Sequence, residues 1–414
     1  MKSRLDLLRG TTQLAGEGFL GALDVVEGMH QAVLDPFARL LPFGELLTRT
    51  TDFVYARIRN VGQVASTAAI GSLGLYERYL LPRDAQEADE AAASAWISAL
   101  NGAVGDHLEE TRNPLALRME FCRAGRTLTA QAKALEQELP CANGRLYVFV
   151  HGLGMNDSQW QPRDGADFGQ RLEQDFGGSA LHLRYNSGRR ISTNGRELAQ
   201  RLQQLVQAHP REIDDIVLVG HSMGGLVCRS ACSHAARTEL EWLDRVSAAV
   251  CLGSPHLGAP LERIGGRLSA ALESLPYTRA LAKLTERRSA GVKDLRHGWC
   301  SDRDRPRQER KPAAVEPLTR LPRGRWLLAA ATLVGSSHGT RARWIGDGLV
   351  PVPSALGEHA DPALGLQLPA AQRHVFRGLG HMDLLNNIKV YEQLQRWLDQ
   401  PTAAPRRPTL RAAG

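Results

Sequence analysis

The strongest constraint in this chain is an alternation of two textures. Between Arg145 and Leu398, short apolar runs that stop at glycine-rich punctuation take turns with stretches whose apolar residues recur every three or four positions. "RLYVFV" (145–150), "ALHLRYNSG" (180–188), "DDIVLVG" (214–220), "VSAAVCLGSPHLG" (246–258), "RWLLAAATLVG" (325–335) and "RHVFRGLG" (373–380) read as strands with their loops, the first nearly continuous in apolar residues, as expected of a strand buried on both faces. "ADFGQRLEQDF", "NGRELAQRLQQLVQ", "GGLVCRSACSHAA" and "NNIKVYEQLQRWL" carry helical spacing between or after them. Strands alternating with helical crossovers predict an α/β fold: a mostly parallel sheet with helices on both faces. Just before it, "LALRMEFC" and "RTLTA" flank "RAG" and read as two short strands around a turn.

One strand runs straight into "VGHSMGG" (219–225). Gly220-His221-Ser222-Met223-Gly224 fits G-x-S-x-G in the strand-to-helix setting that presents a serine on a sharp turn, where side chains in place of the glycines would strike the neighbouring strand and helix. The alternative is a serine that merely caps the helix. A serine hydroxyl attacks only when a histidine takes its proton and a carboxylate orients that histidine. In this topology both partners come from loops after later strands, which leaves few candidates. Asp347 in "WIGDGLVPVPSA" and His381 in "RGLGHMDLL" occupy such loops. His374 falls within a strand, His359 in a polar loop, Asp383 too near His381 in sequence, and Glu262 is the rival acid.

Acyl transfer also needs N–H donors aimed at the developing oxyanion. Met223, at the start of a helix, supplies one; Leu153 in "HGLG" (151–154), at the end of the first long strand, supplies the second. His151 is expected to order that loop with Gly152 and Gly154, and His256 in "GSPHLGAP" to shape a pocket rim.

The flanks read differently. Residues 1–112 are expected to be a helical segment, with "FLGALDVVEGMHQAVL", "VYARIRNVGQVASTAAIGSLGLYERYLL" and "LPRDAQEADEAAASAWISALNG" as its helices. The core domain is placed at 113–400, with a helical cap inserted at about 261–324, and 401–414 as a disordered basic tail. Asp6, Arg9 and Glu17 interrupt any apolar leader, and no apolar run is long enough to span a membrane, so a cytoplasmic protein is expected, with peripheral contact at the inner membrane face as the variant. The net charge of +7 is concentrated in "RDRPRQERK" (303–311) and the tail, so it predicts solvated segments and no nucleic-acid partner. The six cysteines form no CxxC pair, which excludes a zinc ribbon; Cys228 and Cys232 are read as small buried hydrophobes.

Taken in order, "VFVHGLG", "RYNSG", "VGHSMGGLV", "GSPHLGAP", "GDGLVP" and "GHMDLL" resemble the α/β-hydrolase superfamily, and within it the bacterial lipase-like and PGAP1-like serine hydrolases. The resemblance implies hydrolysis of acyl esters through an acyl-enzyme, with Ser222 as nucleophile, His381 as base, Asp347 as acid and Leu153 and Met223 as oxyanion donors. It leaves open a lipid deacylase or an acyltransferase, or an inactive scaffold that docks on membrane or protein through its helical front. An acyl-ester or lipid substrate is the expected partner. No cofactor is expected, and no metal, because the chain is basic at Arg323 and Arg325, where a second calcium-binding aspartate would stand.

Overall fold

A computed structural model of the chain describes scattered positions between 6 and 14, then residues 87–128, 132–141, 143–160, 167–260, 289–303, 316–335 and 340–400. The helices expected at 19–34 and 54–81, most of the cap, Glu262 and the tail lie outside the described residues. The chain divides into two compact units. One comprises residues 1–97, 107–116 and 269–288; in it Leu14, Leu108 and Leu115 are buried, and Asn113 Nδ2 donates to Gly10 O at 3.1 Å. The other comprises residues 98–106, 117–268 and 289–414 and contains the sheet.

In chain order the elements are α1 (Glu87–Glu110), β1 (Glu120–Arg123), β2 (Arg126–Thr127), α2 (Ala132–Glu138), β3 (Arg145–Val150), α3 (Phe168–Phe176), β4 (Ser179–Arg184), α4 (Ile191–Ala208), β5 (Asp215–His221), α5 (Met223–Arg237), β6 (Val246–Leu252), α6 (Ala290–His297), β7 (Arg325–Thr332), α7 (Thr340–Ile345), α8 (Val352–Ala355), β8 (Arg373–Arg377) and α9 (Ile388–Leu398). Eight strands form one sheet in the order β2-β1-β4-β3-β5-β6-β7-β8. β1 is antiparallel to both β2 and β4, and every other pairing is parallel. The expected parallel core and its preceding hairpin are both present.

Alternation along each strand separates two cores. Leu146, Val148 and Val150 of β3 face one side with Ile216 and Leu218 of β5, Leu198 and Leu202 of α4, and Leu226 and Val227 of α5. Tyr147 and Phe149 face the other, with Val217, Val219, Leu172 of α3 and Leu394 and Trp397 of α9. Both faces are therefore dry, which is why the strands read as continuous apolar runs. Cys228 and Cys232 are fully buried on the α5 side, and burial pushes both thiols above their ordinary range, as inert packing residues require. Among the described residues no helix is long and apolar enough to cross a membrane.

The sheet order turns at β3. β4 lies on one side of it and β5 on the other, so the loops leaving β3 and β5 diverge and open a crevice at their carboxyl ends. Register makes the crevice specific. Val150 pairs with Gly220 and His221 with Leu252, so His151, Ser222 and Gly253 leave the sheet side by side.

Candidate active site

Ser222 stands between β5 and α5 with φ 53° and ψ −123°, a backbone conformation that L residues avoid and that costs about 1–3 kcal/mol. The turn is held by Ser222 N donating to Leu252 O at 2.8 Å and by Gly225 N donating to Ser222 O at 3.2 Å. Ser222 makes no side-chain bond to the helix it precedes, so the capping alternative has no support. Gly224 explains the motif's spacing: a Cβ there would lie 2.1 Å from Val150 O. Without side chains the first turn of α5 presses onto the end of β3. Gly152 completes the approach, since a Cβ on it would meet Ser222 Cβ at 3.1 Å.

Asp347 and His381 come from the loops after β7 and β8. His381 Nδ1 donates to Asp347 Oδ2 at 2.7 Å, and His381 N donates to Asp347 O at 3.0 Å, so the two loops are bound through side chain and backbone alike. Asp347 Oδ1 accepts from Leu349 N at 2.9 Å and Val350 N at 2.8 Å. Burial opposes ionisation of Asp347, but His381 and the two backbone donors outweigh it and hold the carboxyl below its ordinary range. The pair adjoins the serine through Gly253, whose Cβ would fall 3.2 Å from Asp347 Oδ2 and 3.3 Å from His381 Cε1.

His221 links the two halves. Its Nε2 donates to His381 O at 3.0 Å, and its ring lies 4.7 Å from the His381 ring. Trp160, fully buried, presents an edge to His221 at 6.2 Å.

Met223 opens α5, where an N–H has no acceptor within the helix. Leu153 lies in a tight turn, closed by Met155 N donating to Gly152 O at 3.4 Å and secured by Gly154 N donating to Ser187 Oγ at 2.9 Å. At the start of this loop His151 Nδ1 donates to Gly152 O at 2.8 Å, its ring stacks on Tyr185 at 4.3 Å, and Tyr185 Oη donates to His151 O at 2.8 Å. Burial lowers the His151 pKa to about 4, so it is neutral and no base.

The other histidines fall elsewhere. His374 is half-buried in β8 and His359 is in an exposed loop, where its Nδ1 accepts from Asp361 N at 3.0 Å. Asp383 orders the histidine loop by accepting from Gly380 N at 2.7 Å. His256 does not lie on a rim. It is fully buried, with Arg229 Nη1 donating to its Nδ1 at 3.2 Å, because the loop after β6 folds inward beneath Ser354. Among the described residues no group of His, Cys, Asp and Glu is arranged to hold a metal ion.

Sequence reasoning passed over Ser187, whose block "RYNSG" carried no chemical signal of its own. Its place at the carboxyl end of β4, beside the end of β3, was the available clue.

Residues 142–296 match the family model described as the PGAP1-like alpha/beta domain. No curated protein matches the chain. Among solved structures, the mature form of the Bacillus licheniformis lipase BlEst2 is 22% identical over 60% of this chain and 90% of its own, with a TM-score of 0.38. Its propeptide form is 21% identical, over 62% of this chain and 51% of its own, at 0.41. A lipase-esterase related protein from Clostridium acetobutylicum is 14% identical, over 61% and 94%, at 0.33. With its sheet turning at β3 and a strained serine between β5 and α5, the chain has the α/β-hydrolase fold, and residues 142–296 of it match the PGAP1-like alpha/beta domain.

Proposed function

We propose that the protein hydrolyses carboxylic esters through an acyl-enzyme on Ser222. The observation that carries this reading is the strained Ser222 backbone beside a buried His381–Asp347 pair. Strain at one residue persists only where surrounding structure over-determines it, and a merely structural serine gains nothing from it.

Ser222 Oγ adds to the acyl carbonyl carbon while His381 Nε2 takes its proton. Asp347 holds the Nδ1–H, so that Nε2 carries the lone pair, and it stabilises the imidazolium that forms. Met223 N–H and Leu153 N–H receive the oxyanion. The intermediate collapses by breaking the bond to the alkoxy oxygen, and His381 returns the proton to the departing alcohol. Water then repeats the sequence on the acyl-enzyme, releasing the carboxylic acid and restoring Ser222.

The test is hydrolysis of p-nitrophenyl esters from acetate to palmitate by wild type and Ser222→Ala. The expected result is a loss of at least about 10⁴-fold in kcat, as for other serine nucleophiles. Equal activity in both overturns the proposal, and the preferred chain length separates esterase from lipase.

A further inference from the structure

Ser187 does nothing in the mechanism above, yet it is 1% exposed and sits against the loop that carries Leu153. Its hydroxyl oxygen accepts from Gly154 N at 2.9 Å, and this is the bond that ties the turn to the end of β4. We propose that Ser187 is a positioning residue for the oxyanion loop, and that residues 98–106 hold Ser187 in place. The inference rests on the serine-hydrolase reading.

The turn around Ser187 is clamped from both sides. Asn186 Nδ2 donates to Gly105 O at 2.8 Å, and Asn186 Oδ1 accepts from Gly188 N at 3.1 Å. A Cβ on Gly188 would meet Asn101 O at 2.1 Å, so the turn lies directly on the backbone of α1. From the other side, Gly291 N of α6 donates to Gly188 O at 2.9 Å, and Ser289 binds α1 in turn through Oγ to Gly102 O at 2.7 Å and N to Ala103 O at 3.1 Å. The same stretch of α1 reaches the far end of the oxyanion loop, where Asn156 Nδ2 donates to Ser98 Oγ at 3.2 Å. Residues 98–106 therefore secure the loop at two points that follow Leu153: at Asn156 directly, and at Gly154 through Ser187.

A rate penalty follows from the geometry. The Leu153 N–H stabilises an oxyanion only while its direction is fixed before reaction. Loss of the Gly154–Ser187 bond leaves the turn to be closed by the 3.4 Å bond from Met155 N to Gly152 O. Removing an oxyanion donor outright costs about 10²–10³ in kcat, so loosening its loop is expected to cost about 10-fold.

The experiment compares wild type with Ser187→Ala and Ser187→Thr. Active sites are counted by a fluorophosphonate, and p-nitrophenyl ester kinetics are expressed per labelled site. The expected result is kcat per site about 10-fold lower in Ser187→Ala, KM changed less than about 2-fold, and recovery in Ser187→Thr, which keeps the acceptor oxygen. A merely structural role lowers the number of labelled sites and leaves kcat per site unchanged; that outcome overturns the inference while the hydrolase reading stands. A wild-type protein that neither labels nor turns over overturns the reading beneath it. Should Ser187→Ala fail to fold, Ser98→Ala, which removes the bond from Asn156 and leaves Ser187 in place, carries the test with an expected fall of about 3-fold in kcat per site, and no change overturns the clamp.

Discussion

The two halves of the candidate site are built by different means. Around Ser222, backbone lies on backbone: Gly224 presses on Val150, Gly220 on Gly225, and strand register alone brings His151 and Gly253 alongside. Beside Asp347 and His381 there is more room. A Cβ on Gly348 would find nothing nearer than 3.4 Å and one on Gly380 nothing nearer than 3.5 Å, although Gly346 is tight against Val350 O within its own turn. Asp347 and His381 are held instead by hydrogen bonds to the Asp347 carboxylate, from His381 and from two backbone N–H groups. One half is specified chiefly by excluded volume, the other chiefly by polar satisfaction. Substitutions should then fail in different ways: volume errors at the serine should cost stability, and polar errors at the acid should cost rate.

The sharpest division is expected at Asp347. Asp347→Asn keeps the shape and disturbs the histidine's tautomer, so kcat for p-nitrophenyl ester hydrolysis should fall about 10⁴-fold, a far larger effect than the stability lost with the carboxylate's charge. Gly224→Ala should do the reverse. Its methyl meets the Val150 carbonyl, and denaturant unfolding should show a loss of about 3 kcal/mol, the upper part of the usual range for overpacking. If Gly224→Ala keeps full stability, excluded volume is not what shapes the turn at Ser222.

Acid should strike the serine half through His151. Its pKa is depressed from 6.5 to about 4 in the fold, so the unfolded chain binds more protons between those values. The contribution is therefore present in full above about 6.5 and is lost as pH falls towards 4. For this fully buried ring the loss is on the order of 3 kcal/mol. His151→Gln should flatten the pH–stability curve over that window, and an unchanged slope would mean that other buried histidines carry it. Asp347 acts lower: its depressed carboxyl contributes stability above its ordinary range that disappears as pH falls through its folded value. The smallest effect is expected at Gly380→Ala, within about 0.5 kcal/mol and with activity retained, because the site has space.

Much of this division was legible in the sequence. The apolar runs predicted the central strands because strands dry on both faces leave an uninterrupted signature, and glycines at fixed offsets announced the sharp turn at Ser222 because only close backbone approach demands them. Asp347 and His381 followed from chain order and from being among the few titratable residues after strand ends. What could not be read were contacts between residues far apart in sequence. Ser98 and Asn156 meet across 58 positions, and nothing in helical periodicity marks Ser98 to Asp106 as belonging with the sheet. His256 misled for a related reason. A histidine at a strand end looks available for the crevice, and only its bond from Arg229 shows that the loop has turned it inward.

The path of the chain after β6 has an architectural consequence. A Cβ on Gly258 would meet Arg296 O at 2.1 Å, and one on Gly298 would meet His256 O at 2.5 Å, so the segment that departs and the segment that returns touch backbone to backbone. Asp294, on the returning helix, accepts from Ile191 N at 3.0 Å and thereby seals the start of α4. Departure and return are thus welded into the sheet-bearing unit independently of whatever length joins them. The two welded ends therefore form a socket whose spacing and direction are set by contacts inside the sheet-bearing unit alone.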